Sequence, residues 1–401
     1  MGLRASEHKW TLIALYLVTL IMRASFYVTI AVISSSFYME GALVGWGVTL
    51  VLAIYPLTEL STVSFFGSYS DKIGRKPIFI ASLLVTGVAA YLFAIAPFAS
   101  IALVLAALFG IGAASKVTTT LSMIADCSGE DNRARLMGYY DLSTLVGLAG
   151  GYGLGIILIQ FGINVDLLLL TASYACLISG LLAVIGMGET RKIVAEQYSM
   201  RELLSSVARD KNIQKMIPVY VPIISLYGLF ISKAEIIIEE HFSLDAIDFL
   251  ILFGILGGSL ILGIIVMGHL SDYLMKRRPF IVTGLIGFGL LAFLLVANAD
   301  SFEQLWSIWP VLPVLGFIAG AFPPAAMAYL TDISTEEARG STMGVYSIFF
   351  GSGMIIGPIA GEFMYESFGL FLGLGVLVSA LILIACIGTY FLDEKHVPPQ
   401  L

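Results

Sequence analysis

Four ionisable residues interrupt long apolar runs where nothing but chemistry would keep them: Arg23, Glu59, Lys116 and Asp141. A charge at mid-bilayer costs about 3 kcal/mol on insertion scales, so such residues are rarely idle. Arg23 stands about 13 residues in from Trp10, hence roughly 20 Å deep at about 1.5 Å per residue. Tyr27 follows it by one helical turn on the same face. Glu59 lies 12 residues before Asp71 and therefore at a similar depth, with Tyr55 four positions ahead of it. Two cations and two anions sum to zero. One reading is a static, paired salt-bridge cluster. The other is that a carboxylate takes up a proton and frees Arg23 or Lys116 for an anionic group on a ligand. Burial favours the neutral acid while a nearby cation favours the carboxylate, so such a group can be tuned by what arrives beside it. Glu59 is the first candidate proton carrier because it shares Arg23's depth; Asp141 is the second.

A further cation, Lys233, is followed by Glu235 and Glu239. Snorkelling toward water is the expected behaviour of these three, although Glu362 is placed where it could pair with Lys233. Tyr220 and Tyr227, seven apart, share one helix face. Tyr227 and Lys233 join Arg23, Tyr27, Tyr55 and Lys116 as candidate ligand contacts.

The elements that carry these residues are hydrophobic helices. Of 401 residues 58% are hydrophobic and only 12% charged, against about a quarter charged in soluble domains. Twelve runs are long enough to cross a core of about 30 Å: about 10–36, 43–70, 77–97, 100–126, 135–161, 165–188, 213–239, 246–272, 279–298, 304–331, 340–366 and 369–392. Lipid offers no partner to open backbone, so these runs are helices. Of the 21 Lys and Arg, 18 lie at the termini or in the loops after even-numbered runs, which places both termini in the cytoplasm. The first run is too long for a cleavable leader. Cys127, Cys176 and Cys386 are scattered, with no metal-ligand spacing. No phosphate-cradling loop, HExxH or GxSxG is found. An enzyme, a metal, a cofactor, an intrinsic ATPase and nucleic-acid binding are therefore not expected.

The chain repeats itself. Gly67-Ser68-Tyr69-Ser70-Asp71-Lys72-Ile73-Gly74-Arg75-Lys76-Pro77 reads as a short charged loop between two runs. It recurs in weakened form from Gly268, with Asp71 and Asp272 separated by 201 positions. Asp126 and Asp332, and Arg133 and Arg339, each differ by 206. So do the stripes Gly147/Gly151/Gly155 and Gly353/Gly357/Gly361, whose small residues let another helix approach closely. The expected organisation is a six-helix bundle over 1–189, a cytoplasmic linker over 190–212, and a second bundle over 213–401. Met200, Leu203, Leu204 and Val207 give the linker an amphipathic helical pattern. Pro323-Pro324 should break the tenth span.

The 67–77 stretch resembles the G-x-L-x-D-x-x-G-R-[RK] motif of the major facilitator superfamily: Gly67, Asp71, Gly74, Arg75 and Lys76 stand in place, and only the Leu is replaced, by Tyr69. Twelve spans and the second copy at 268–278 extend the resemblance over the whole chain, and Gly357-Pro358 is similar to the drug:proton antiporter branch. Departures are Ala106 where that branch places an Arg, Tyr152 where its span-5 motif has a Pro, and Arg23 where many carriers of cations have an acid.

The resemblance implies an all-α membrane protein of twelve transmembrane helices in two pseudo-symmetric six-helix bundles. It implies a monomer in the cell membrane that works by alternating access. It also implies conformational gating by Gly67, Asp71, Gly74, Arg75, Asp126, Asp272, Asp332 and Arg339, with Asp71 capping a helix end near span 11 and Arg75 pairing with Asp126. The expected activity is proton-coupled secondary transport of a small organic solute, anionic, zwitterionic or amphiphilic. Proton-driven multidrug efflux is the alternative, and a non-transporting sensor or assembly partner is the reading of another class.

Overall fold

The computed structural model describes residues 9–34, 46–95, 99–127, 133–190, 205, 211–237, 242–244, 246–274, 276–298, 301–333 and 339–393. Most of the 190–212 linker lies outside them, including Met200, Leu203, Leu204 and Val207 of its amphipathic pattern. The described residues are helical almost throughout. In order they are α1 (Lys9–Ser34), α2 (Trp46–Ile73), α3 (Arg75–Ile95), α4 (Ala99–Cys127), α5 (Arg133–Gln160), α6 (Val165–Gly186), α7 (Lys211–Glu235), α8 (Ala246–Leu274) and α9 (Arg278–Phe293). A π turn (Leu294–Asn298), α10 (Phe302–Ser307), α11 (Val311–Ala319), α12 (Phe322–Ile333), α13 (Arg339–Phe368), a second π turn (Gly369–Leu374) and α14 (Gly375–Tyr390) complete the chain.

Among the described residues eleven stretches are long and apolar enough to cross a membrane, and the last, Ile348–Tyr390, holds 43 residues. At about 1.5 Å per residue it would be twice as long as a bilayer core of about 30 Å. Gly369 adopts φ 75° after α13, and α13 and α14 both pack on α7. The stretch is therefore two antiparallel spans, which makes twelve. The tenth span is α11 plus α12, interrupted at Gly320-Ala321 with Pro323 and Pro324 in the first turn that follows. There the missing amide hydrogens have no helical partner to lose.

The chain forms two compact units, Met1–Met200 and Arg201–Leu401. In the first, α1 packs on α5 and α6, α2 on α4, and α3 on α4 and α6. In the second, α7 packs on α13 and α14, α8 on α11, and α9 on α11 and α14. These are the same pairings shifted by six spans, so the internal sequence repeat is an internal repeat of packing.

The glycine stripes explain the closest of these pairings. A Cβ added at Gly147 would lie 2.6 Å from Arg23 Cβ, and one at Gly151 would meet the Ala24 carbonyl. Likewise a Cβ at Gly353 would lie 2.5 Å from Ile224 Cβ, and one at Gly357 would meet the Ser225 carbonyl. Both stripes thus bring the fifth helix of their unit onto the first with backbone nearly touching backbone.

The third glycines of the two stripes differ despite the equal spacing. At Gly155 the seam is still closed: an added Cβ would lie 2.7 Å from Ala31 Cβ and 3.3 Å from Val28 Cα. At Gly361 it has opened, and an added Cβ would meet only the Leu229 side chain, its Cγ at 3.3 Å. The difference follows from what each glycine faces. Ala31 is short enough to let the backbones converge, whereas the branched Leu229 holds α13 off α7. Gly361 is therefore a packing glycine of a weaker kind than Gly353, Gly357 or Gly155.

The charged stretch at 67–77 is not a loop. Helix α2 continues through Ile73, and α3 begins at Arg75, so Gly74 alone makes the turn. Gly74 has φ 127°, which side chains other than hydrogen adopt poorly, and its amide donates to the Ser70 carbonyl at 3.0 Å. Exposed Lys72 and buried Ser70, whose Oγ accepts from Arg75 Nη1 at 2.9 Å, let the helix run on to the glycine.

Candidate substrate and proton site

Helices α1, α2, α4 and α5 bring one set of polar side chains together inside the first unit. Gly147 seats α5 against Arg23. Gly110 seats α4 against α2, where an added Cβ would collide with the Tyr55 carbonyl and lie 3.0 Å from the Glu59 amide. Close approach at these two glycines is what carries Lys116, six positions past Gly110 on α4, into the space shared with Arg23 and Glu59.

Lys116 is wholly buried and Arg23 is 9% exposed. Tyr27 and Tyr55 are buried, and Glu59 is partly exposed. The Lys116 Nζ and the Arg23 Nε are buried with no hydrogen-bond partner, and the buried Tyr55 hydroxyl lies beside Glu59. Lys116 interacts electrostatically with Arg23 and Glu59, and Arg23 with Tyr140, Tyr27, Tyr55 and Glu59. Among the described residues, however, no ion pair joins Arg23, Glu59 or Lys116. These three interact through space rather than in contact, and the Asp141 side chain, the fourth member of the set, lies outside the described residues.

Lys116 Nζ sits 5.5 Å from the centroid of the Tyr140 ring. A cation–π contact is worth about 0.5–2 kcal/mol, whereas burying an ion costs several. The ring therefore orients the ammonium without offsetting its desolvation. Beside it, Phe26 links the tyrosines to the core, its ring centroid 5.3 Å from Tyr27, 4.7 Å from Tyr55 and 5.3 Å from Phe109.

Two hydroxyls that the sequence did not single out complete the set. Thr19 and Thr144 each have a buried side-chain oxygen without a partner. Thr19 precedes Arg23 by one turn, and Thr144 precedes Gly147 by one turn. Because Gly147 rests on Arg23, the two hydroxyls share the next layer of the α1–α5 seam. An i−4 hydroxyl beside a deep Arg was the only signal available.

A second cluster closes the α2–α3 end of the unit. Arg75 is fully buried; its Nε donates to Asp126 Oδ2 at 3.3 Å and its Nη1 to Ser70 Oγ at 2.9 Å. The Thr190 hydroxyl donates to the same Asp126 oxygen at 3.3 Å. Glu189 accepts the Arg75 and Lys76 amides at 2.9 and 3.1 Å, so its carboxylate caps the N-terminus of α3. A carboxylate there satisfies otherwise orphaned amides and meets the positive end of the helix dipole. In the second unit, Arg277 Nη1 donates to Ser271 Oγ at 3.0 Å and pairs with exposed Asp272 at 2.5 Å. The Ser–Arg contact thus recurs in both copies of the motif. The side chains of Asp71, Asp332 and Arg339 lie outside the described residues, and Gly67 is described only as part of the α2 backbone.

Lys233 does not snorkel. It is 3% exposed, forms a buried ion pair with Glu362 of α13, and lies 4.8 Å from the Tyr365 ring. The partner is on another helix, 129 positions away, and a paired ammonium has no need to reach water. Tyr227 packs on Phe288 of α9 with centroids 6.1 Å apart.

Comparison with known proteins fixes the family. The sequence matches the Major Facilitator Superfamily over residues 12–232 and 219–401, nearly the whole chain. The chain belongs to this family. Among its relatives is multidrug resistance protein 2 of Bacillus subtilis, 24% identical, the match covering 84% of this chain and 86% of that one. Another is the class E tetracycline resistance protein of Escherichia coli, 24% identical over 79% and 78% of the two chains. Among solved structures, the nucleoside transporter NupG is similar with a TM-score of 0.71 at 11% identity, covering 95% of this chain and 98% of that one. The human organic anion transporter MFSD10 is similar at 0.66 and 13%, covering 98% and 100%. This major facilitator chain is thus a multi-pass membrane protein of twelve spans in two pseudo-symmetric bundles. It is a secondary transporter of a small molecule, not an enzyme.

Proposed function

We propose that this transporter moves a small organic solute bearing an anionic group, anionic or zwitterionic and often amphiphilic, with protons as the coupling ion. The observation that carries this reading is the pair of buried cationic donors, Lys116 Nζ and Arg23 Nε, left without hydrogen-bond partners beside partly exposed Glu59. Buried charges are normally paired, and a substrate anion is the partner that would complete these. Tyr27, Tyr55 and the Phe26 cluster supply an apolar wall beside them. Glu59 is the proposed proton carrier and Asp141 the second candidate. In the other unit we assign Tyr227 as an aromatic contact. Lys233 enters the substrate's path only in a state where its pair with Glu362 opens.

The Arg75–Asp126–Glu189 cluster, with Gly67, Asp71, Gly74, Asp272, Asp332 and Arg339, is assigned to gating between two states. Residues 1–189 and 213–401 form the moving halves and 190–212 the tether. The glycines Gly147, Gly151 and Gly155, and Gly353, Gly357 and Gly361, are assigned to holding each half together as it moves. The bias of Lys and Arg supports cytoplasmic termini in the cell membrane, and we assign a monomer by resemblance to the family.

A second reading, proton-driven efflux of hydrophobic drugs, draws on the multidrug and tetracycline resistance relatives and on the aromatic cluster. One experiment separates the two. Lumenal pH is followed in proteoliposomes under an imposed pH gradient while anionic, zwitterionic and cationic solutes are added, for the wild type and Glu59→Gln. Proton movement driven by anions or zwitterions and lost in Glu59→Gln is the expected result. Movement driven by cationic lipophiles alone would replace this reading with the second.

A further inference from the structure

Lys116 has two places to put its ammonium. It interacts electrostatically with the Glu59 carboxylate, and its four-carbon stem is flexible, yet its Nζ has no hydrogen-bond partner. The Nζ stands instead 5.5 Å from the centroid of the Tyr140 ring. The same tyrosine interacts electrostatically with Arg23, so it stands against both cations of the site. What holds the ring in place is α5. Tyr140, Thr144, Gly147 and Gly151 fall at i, i+4, i+7 and i+11 and share one face of that helix. The two glycines seat this face on Arg23 and Ala24 of α1. Tyr140 itself is 6% exposed and belongs to a buried cluster with Leu15, Val18, Met22, Met123 and Leu136. The ring is fixed by its packing, and it is Lys116 that comes to it.

We infer that Tyr140 is a positioning residue of the substrate site, whose ring holds the Lys116 ammonium away from Glu59 and so keeps it available to an arriving anion. The inference rests on the anionic-substrate reading above and adds to it the residue that keeps the site open. A ring face attracts an ammonium through its quadrupole while carrying no net charge. The contact therefore fixes the direction of the side chain without neutralising it. A Lys116–Glu59 ion pair would do the opposite, taking up the charge and the donors that the substrate's anionic group needs. The two holds are comparable in strength. A cation–π contact is equivalent to about 2–30-fold, and an ion pair within reach of water to about 1–5-fold. With the ring in place the balance favours the open arrangement. Without it, Lys116 turns onto Glu59 and the site closes from within.

The test is equilibrium binding of benzoate and benzylamine at pH 6.5 by the purified full-length protein in nanodiscs. Tyr140→Leu should weaken benzoate binding about tenfold, within the range of a lost cation–π contact. Tyr140→Phe keeps the ring face and should stay within about twofold of the wild type. In a Glu59→Gln background Lys116 has no carboxylate to turn onto, so there Tyr140→Leu should lose its effect. That dependence on a second residue is one that a merely structural role would not produce. Should Tyr140→Leu fail to fold, phenylalanines carrying one, two and three ring fluorines can replace Tyr140, since they keep the shape and drain the negative face of the ring. Benzoate affinity should then fall with each fluorine. A loss of equal size in both backgrounds, a Phe variant as weak as the Leu variant, or level affinity across the fluorinated series would overturn the role of Tyr140 while leaving the anion site in place. A wild type that binds benzylamine but not benzoate, or neither, would instead refute the anionic-substrate reading beneath it, and the inference with it.

Discussion

Lys116 and Tyr140 meet with the ammonium 5.5 Å from the ring centroid, in a space where Lys116 is wholly buried and its Nζ has no hydrogen-bond acceptor. The pairing is unusual because its energetics do not close. A ring face returns about 0.5–2 kcal/mol, less than the several kcal/mol that desolvation of an ammonium removes. The protein buries an amine at a stability cost, which the proposed substrate role would explain.

Replacing Lys116 by Met should therefore separate stability from activity. Met keeps the length and apolar bulk and removes the charge. Thermal unfolding in detergent should occur at an unchanged or higher temperature, with a gain of up to about 1–3 kcal/mol on the scale seen when buried charges yield to hydrophobic residues. Solute-driven proton flux should fall at least tenfold, equivalent to about 1.4 kcal/mol. A variant that is destabilised yet fully active would show Lys116 to be structural.

Lys233 and Glu362 call for the reverse expectation, because their charges are paired and both side chains are 3% exposed. Lys233→Met alone or Glu362→Gln alone leaves one charge or strong acceptor stranded, at a cost of about 3–5 kcal/mol. The Lys233→Met/Glu362→Leu double variant should recover most of that loss. A double-mutant cycle by denaturant unfolding measures the coupling, and additive losses would contradict the pairing.

Adjacent glycines on α5 give a test of the helix seam. A Cβ at Gly151 would meet the Ala24 backbone, whereas one at Gly150 has nothing within 4 Å. Gly151→Ala should cost about 1–3 kcal/mol as an overpacked contact. Gly150→Ala should be neutral or stabilising by up to about 1 kcal/mol through helix propensity. Monodispersity and melting temperature of the two purified variants decide it, and equal behaviour would mean that α1 and α5 are not packed as described.

Glu189 supplies the cap of α3 through the Arg75 and Lys76 amides. Glu189→Ala should destabilise the protein by about 0.5–2 kcal/mol. Asp126→Asn should cost more, about 3–5 kcal/mol, by leaving the buried Arg75 guanidinium without its carboxylate. Melting curves that rank the two variants in the opposite order would contradict this assignment.

The sequence is most informative where physics acts locally. Twelve spans follow from run length, and the 206-residue offset of the glycine stripes announces two equivalent units. The chemistry of the stripe is legible at Gly147 and Gly151, yet the helix they receive is not, since spacing carries no partner. For that reason Gly155 and Gly361 look alike in sequence and differ in the fold, one facing Ala31 and the other Leu229. Lys233 departs from expectation on the same ground: snorkelling is a property of an isolated Lys, and Glu362 is distant in sequence. Glu189 stands at the end of a span with no local pattern to mark a cap for a helix 114 positions earlier. The 67–77 stretch reads as a loop because its charges look like a break. Only Gly74, with its positive φ, breaks the helix. Arg23, Glu59 and Lys116 are conspicuous because each is a charge in an apolar run. Thr19 and Thr144, whose hydroxyl oxygens are buried, are ordinary membrane-helix residues until a neighbouring cation draws attention to them.

The central claim is that the site in the first unit receives an anion, and matched probes at one pH test it most directly. Benzoate and benzylamine have similar rings and opposite charges, and their Kd values can be measured at pH 6.5 for the wild type and Lys116→Met. The account predicts that the wild type binds benzoate more tightly than benzylamine, and that Lys116→Met loses at least tenfold in benzoate affinity while benzylamine binding is unchanged or improved. A wild type that prefers benzylamine, or a Lys116→Met protein that binds benzoate as before, would contradict it.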